Sequence, residues 1–253
     1  MQGLRGVGIV LVFFPFLDRG GRQAHIARWS RGMLARLGIT LRVEGDPGTA
    51  PGTLLVVNHV SWLDVMAVHA LLPEARFVSK ADVRGWPVVR RLVDAAGTLY
   101  LERERKRDAL RVVHDMSAAL GGGDTVAIFP EGTTSTGHGL LPFHANLLQS
   151  AIAVEAPVRP VALRWSDARH PVSEAMEFIG DTTMAESLWR TANGEGVVAT
   201  LRFLAPRPSA GADRRALAAA LRADVAAALG VDAAPTDRRG SATASRPAAT
   251  PLA

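Results

Sequence analysis

Short apolar runs, separated by polar and glycine-rich punctuation, fill the middle of the chain. The stretches "LRVEGD" (41–46), "TLLVV" (53–57), "ARFVSK" (75–80), "GTLYLER" (97–103), "DTVAIFP" (124–130), "PVRPVALRW" (157–165) and "GVVATLRFL" (196–204) each have the length and β-branched content of a strand. Between them the spacing turns helical. Leu110, Val113, Ser117 and Leu120 share one side of a helix predicted over 108–120, which Gly121 to Gly123 terminates, and an Ala-rich helix is predicted over about 212–229. Alternation of strand and helix predicts an α/β fold: a mainly parallel mixed sheet flanked by helices. No internal repeat is present.

The two ends are patterned differently. "GVGIVLVFFPFL" (6–17) is an apolar run broken by Pro15. As a helix at ~1.5 Å per residue it would reach roughly 18 Å, against ~30 Å for the hydrocarbon core, so it is expected to enter a bilayer without crossing it. A cleaved signal peptide is the rival reading, but no small-residue cleavage site follows and "DRGGR" comes directly after. Next, "GRQAHIARWSRGMLARLG" (21–38) sets Ile26, Trp29, Met33 and Leu37 at helical spacing among Arg22, Arg28, Arg31 and Arg36. That is the composition of an interfacial helix on anionic lipid, or of an ordinary amphipathic helix covering a domain. The expected organisation is a helical membrane-associating segment over 1–38, an α/β domain over 39–230 and a disordered tail over 231–253, whose small and polar side chains cannot build a core.

Composition narrows the chemistry. The chain has no cysteine, which excludes a thiol nucleophile, a disulfide framework and cysteine-ligated zinc or iron–sulfur sites. Its net charge of +5 invites nucleic acid, an anionic membrane surface or an anionic substrate. No nucleic-acid partner is expected. Tyr100 is the only tyrosine, and much of the positive charge lies in the amphipathic stretch rather than among stacking aromatics.

The stretch "VVNHVSWLDVMAVHALL" (56–72) places His59 five positions before Asp64. On one regular helix, steps of about 100° would leave them roughly 140° apart, so they can meet only if the helix begins between them. Asn58 and Ser61 suit a turn and N-cap, Ser61 and Asp64 have capping-box spacing, and helical periodicity starts near Trp62. His59 is then expected at the carboxyl end of a strand, where α/β sheets bind ligands, with Asp64 one turn into the following helix. A metal site using His59, Asp64 and His69 would need a further ligand brought round, and His69 in an apolar helix reads as packed; no metal is expected.

A second loop, "FPEGTTSTG" (129–137), presents Glu131, Gly132, Thr133, Thr134 and Ser135 after a strand, a composition able to hold an anion or polarise a carbonyl. A hydrolase elbow would require Gly two places before Ser135, where Thr133 stands. Arg103 ends "GTLYLER" and could grip a phosphate, although it also begins to merge with the charge run "ERERKRD" (102–108); Lys80 ends "RFVSK" with the same ambiguity.

In order, N-H-x4-D (58–64), G-x-x-Y-L-x-R (97–103), F-P-E-G-T-x-S (129–135) and V-R-P-V-A-L (158–163) resemble the motifs of the glycerolipid acyltransferase family, best known for the 1-acylglycerol-3-phosphate acyltransferases. The likeness spans about 40–205, and the N-terminal hydrophobic and basic segment is similar to theirs. The resemblance implies a membrane-associated enzyme on the cytoplasmic face of the inner membrane. It would move a fatty acyl group from a thioester, acyl-CoA or acyl carrier protein, to the free hydroxyl of a lysolipid, 1-acyl-sn-glycerol-3-phosphate first among them, with no cofactor beyond the acyl donor. It implies His59 as general base and Asp64 as its orienting carboxylate, the nucleophile being the substrate's own hydroxyl. Arg103, Glu131 and Gly132 are implied in acceptor and phosphate binding or in ordering that pocket, with Thr133, Thr134, Ser135 and Lys80 as further substrate-binding candidates. Because like charges repel, Glu131 is expected to hold Arg103 or the loop backbone. Val158 to Ala162 match a motif linked to the acyl or acceptor pocket and equally read as a buried strand.

Two departures bear on the acceptor. Thr134 stands where the commonest form of the family has Arg, and His144 and Asn146 stand where many members have Lys and Gly. The "TTS" form resembles relatives that act on other lysolipids, including those that finish ornithine lipids. A lipid-binding or lipid-hydrolysing membrane protein is the alternative from a different class.

Overall fold

Leu54–Val57 is a four-residue apolar strand buried along its whole length, and the fold is built outward from it. The computed structural model describes residues 17–80, 94, 96–101 and 106–232. In chain order the elements are α1 (Arg19–Arg36), β1 (Thr40–Glu44), β2 (Leu54–Val57), α2 (Asp64–His69), β3 (Arg76–Lys80), β4 (Leu99–Leu101), α3 (Lys106–Gly121), β5 (Val126–Ile128), α4 (Gln149–Ala153), β6 (Val158–Ser166), α5 (Met184–Ala192), β7 (Val198–Phe203) and α6 (Arg214–Leu229). The strands form one sheet in the order β1-β7-β6-β2-β5-β3-β4. β2 runs parallel to β5 and β6, and β3 parallel to β4 and β5. β7 is antiparallel to β6 and parallel to β1, so the β1/β7 pair runs against the other five strands. The sheet is thus mainly parallel and mixed, as the pattern predicts.

Strand periodicity sorts the core into two layers. Leu55, Val57, Val161, Leu163, Leu201 and Phe203 face a cluster shared with Leu34 of α1 and Ala67 and Val68 of α2. Leu54, Val56, Val126, Ile128 and Val158 face Val112 and Met116 of α3 and Leu217 and Leu221 of α6. Helix ends follow local chemistry. Asp18 accepts from the Gly21 N–H at the start of α1, Asp213 accepts from the N–H groups of Arg215 and Ala216 at the start of α6, and Gly230 closes α6 in the left-handed conformation, φ 63°.

α1 differs from its predicted register. Ala27, Ser30 and Leu34 fill the seam, while Ile26, Trp29, Met33 and Leu37 border it half-buried. The small residues let α1 lie close on α2: Ser30 Oγ donates to Met66 Sδ at 3.9 Å, and Arg31 Nε donates to the Ala70 carbonyl at 2.8 Å, just past the end of α2. Arg22, Arg28 and Arg36 stay exposed. Apart from Leu17, the apolar run 6–17 lies outside the described residues, as do 233–253. Among the described residues no helix is long and apolar enough to cross a membrane.

Two helices have no counterpart in the sequence reading, the short α4 and α5. α5 buries Ser187 and Thr191 and exposes Leu188 and Trp189, the reverse of the usual arrangement.

Candidate active site

β2 ends at Val57, and Asn58 continues its pairing with side-chain atoms: the carboxamide donates to the Leu163 carbonyl at 2.8 Å and accepts from the Leu163 N–H at 2.7 Å. Asn58, expected only as a turn residue, therefore stands in for one further rung against β6. This frees the main chain to bend at His59. The bend continues through Leu63, and α2 begins at Asp64 itself rather than a turn earlier. Half of the expected capping box is present, since the Asp64 carboxylate accepts from the Ser61 N–H at 3.0 Å. The other half is absent: the Asp64 N–H donates to the Ser61 carbonyl, and Ser61 Oγ faces the Leu63 N–H at 3.4 Å.

Across the bend, His59 Nδ1 and Asp64 Oδ2 meet at 2.7 Å. The same oxygen accepts from the Val60 N–H at 2.7 Å, and Oδ1 accepts from the indole Nε1–H of Trp165 at 2.6 Å. Four donors thus satisfy a carboxylate whose exposure is zero, which is what keeps a buried charge tolerable. An acceptor-only carboxylate fixes the proton on Nδ1 of the imidazole, leaving a lone pair on Nε2. Among the described residues Nε2 has no hydrogen-bond partner, and the His59 side chain is 19% exposed while its partner is sealed. Phe129 stacks on the ring at 3.9 Å and 10°, with Phe77 behind it at 5.4 Å.

The second loop leaves β5, the strand beside β2. Glu131 is buried, and its two oxygens accept from the His59 N–H at 2.7 Å and the Leu141 N–H at 2.9 Å. Burial pushes its carboxyl up to about 7, against the pull of those two N–H groups and of His59, with Asp64 adding to the rise. Gly132 follows at φ 70°, a conformation in which a side chain would be strained, and so turns the loop back under His59. The Thr134 hydroxyl donates to the Phe178 carbonyl, and the Ser135 hydroxyl donates to the His59 carbonyl at 3.1 Å. Phe178 in turn donates its N–H to the Val60 carbonyl at 3.2 Å, stitching the 173–183 segment to both loops. Of the three hydroxyl residues expected at a binding site, two are turned to the backbone and Thr133 is exposed.

The structure therefore brings together His59, Asp64, Glu131, Gly132, Thr134 and Ser135. Glu131 holds loop backbone, one of the two roles expected for it. Arg103 lies outside the described residues; Lys80 ends β3, and its side chain also lies outside them. His69 is packed: its Nε2–H donates to the Ala75 carbonyl at 2.9 Å, Phe77 meets it edge-on, and burial lowers its pKa. Among the described residues no group of three or more His, Asp or Glu side chains is arranged to hold a metal ion. Trp165 is the contributor missed in the sequence. Its signal was a tryptophan in a largely buried strand, whose N–H must find an acceptor.

Comparison with known proteins follows this geometry. The Acyltransferase family model matches residues 40–164. The lyso-ornithine lipid O-acyltransferase of Pseudomonas aeruginosa is 38% identical over 221 residues, covering 87% of this chain and 84% of that protein. The 1-acyl-sn-glycerol-3-phosphate acyltransferase of Neisseria meningitidis serogroup B is 34% identical over 84% of this chain and 83% of its own. In fold, the chain is similar to the crystal structure of the 1-acyl-sn-glycerophosphate acyltransferase of Thermotoga maritima, with a TM-score of 0.68 at 20% identity, covering 91% of this chain and 97% of that one.

Proposed function

Because this chain belongs to the glycerolipid acyltransferase family and acylates lysolipids, we propose that His59 is the base that activates the acceptor hydroxyl. The observation that carries this is the 2.7 Å contact of His59 Nδ1 with a sealed, fully hydrogen-bonded Asp64, with Nε2 left open. The lysolipid hydroxyl attacks the thioester carbonyl carbon while its proton passes to Nε2. Asp64 stabilises the imidazolium, which then returns the proton to the departing thiolate of coenzyme A or acyl carrier protein. Trp165 and Glu131 act through this pair: the first fixes Asp64, the second fixes the His59 main chain.

The acceptor follows from the loop after β5. 1-Acyl-sn-glycerol-3-phosphate is the family's best-known acceptor, and the Neisseria relative supports it. A second reading is lyso-ornithine lipid, which lacks a phosphate monoester. It is favoured by the Pseudomonas relative and by Thr134, which replaces the usual cation and whose hydroxyl is engaged by Phe178. Arg103, Lys80 and the exposed Thr133 are the remaining candidates for the headgroup. The reading includes no metal or cofactor. It places the catalytic face at the cytoplasmic surface of the membrane, with 1–38 as the attachment and the exposed Arg22, Arg28 and Arg36 against anionic lipid.

The test offers the purified protein one labelled acyl thioester with a panel of lysolipids. Acylated product from lysophosphatidic acid or from lyso-ornithine lipid decides between the two acceptors. Free fatty acid with no acylated lipid would overturn acyl transfer in favour of hydrolysis.

A further inference from the structure

α5 is built inside out. Its sites 185, 188, 189 and 192 have the i, i+3, i+4, i+7 spacing of one helix face, and they hold Ala185, Leu188, Trp189 and Ala192, all exposed. Trp189 is 72% and Leu188 37% exposed. The opposite face buries Ser187 and Thr191. The inward face is tied to the catalytic end, since Trp62, which lies between His59 and Asp64 in sequence, donates its indole N–H to Ser187 Oγ at 3.1 Å. The segment leading into α5 is bonded at Phe178 to both active-site loops. An apolar stripe therefore stands outward from a helix whose inward face is tied, through Trp62, to the loop that carries His59.

We propose that α5 is a lipid-contacting element that seats this stripe in the interfacial layer of the bilayer, next to the entrance used by the lysolipid. Size argues for lipid over a protein partner. Nine residues at ~1.5 Å each make a helix of roughly 14 Å, and one Trp and one Leu as the large side chains fall well short of the ~800 Å² per partner of a stable protein interface. Trp beside Leu is also the chemistry of the membrane–water boundary. Glu186 flanks the stripe, so this contact is apolar, unlike the arginine-rich exposed side of α1. The proposal rests on an acceptor drawn from a membrane.

The test measures co-sedimentation of the full chain with vesicles of phosphatidylcholine, alone or mixed with phosphatidylglycerol, beside turnover on a vesicle-embedded lysolipid and on a short-chain, monomeric one. Trp189→Ala and Leu188→Gln are expected to weaken binding roughly tenfold on both vesicle types. Turnover should fall on the embedded acceptor and hold on the monomeric one. Leu110→Ala, at a site equally exposed (72%) on α3, should change nothing. Unchanged sedimentation of the α5 variants overturns the proposal, and so does equal loss on both acceptors. A shift in oligomeric state or in lipid-free melting temperature for Trp189→Ala also overturns it, assigning the stripe to a second copy or to the chain's own apolar run. If no lysolipid is acylated at all, the reading of function falls while the vesicle measurement still decides this one.

Discussion

The loops after β2 and β5 leave neighbouring parallel strands and face one another, yet they divide the work. In the first, the chain spends its main-chain donors on one carboxylate so that a single ring nitrogen stays open. In the second, the carboxylate and two hydroxyls are all turned to main chain, and their effect is to hold the first loop in shape. A motif residue can thus matter to chemistry without touching a substrate. What separates the two cases is whether a polar atom is left without an internal partner.

The sharpest way to break this comparison is to remove the open nitrogen. His59→Ala is expected to lower turnover by ~10²- to 10⁴-fold with little change in fold, and Asp64→Asn by about as much, because an amide can hold the wrong tautomer. A His59→Ala protein retaining more than about a tenth of turnover would move the base elsewhere. Glu131 is next. Its folded carboxyl near 7 lies above the ordinary 4.5, so between those values the folded state keeps a proton that the unfolded chain has released. The Glu131 contribution to stability therefore falls as pH rises from about 4.5 to about 7, by up to on the order of 3 kcal/mol, and is constant outside that window. In denaturant titrations across this range, the stability of the wild type minus that of Glu131→Gln should fall with this slope.

Trp165→Phe keeps the packing but withdraws the donor to Asp64 Oδ1. The cost should be about 1–3 kcal/mol in stability, with kcat reduced and KM held; a change in KM alone would place Trp165 at a binding surface instead. The smallest effects distinguish the hydroxyls. Ser135→Ala should lose about 1 kcal/mol of stability with acceptor KM unchanged. Thr133→Ala should stay within about 0.5 kcal/mol in stability and alter acceptor KM. The reverse outcome would make the second loop a binding surface and erase the distinction.

The strands were legible because apolar runs such as Leu54–Val57 have no alternative to burial, and the meeting of His59 with Asp64 was legible because helix geometry demanded a bend. Strand direction was not. Nothing in "GVVATLRFL" distinguishes a parallel from an antiparallel neighbour, so the reversal of β1 and β7 came only with the fold. α5 escaped because Ser187 and Thr191 face inward, a pattern that reads as exposed. Trp165 escaped because alternation along β6 predicts which face is buried but not which polar atom a buried side chain will find. The roles of Thr134 and Ser135 were hidden for a related reason: a hydroxyl on a loop looks the same whether it awaits a ligand or closes a turn.

Asn58 and Asp64 both depend on residues about a hundred positions further along, at Leu163 and Trp165. Local folding of 54–69 therefore cannot finish the reaction centre, and the emerging polypeptide carries an unfinished one until β6 has been synthesised and inserted beside β2. A nascent or proteolysed fragment ending before residue 165 would leave the aspartate without its indole partner, which delays the appearance of activity until the long-range half of the sheet is in place.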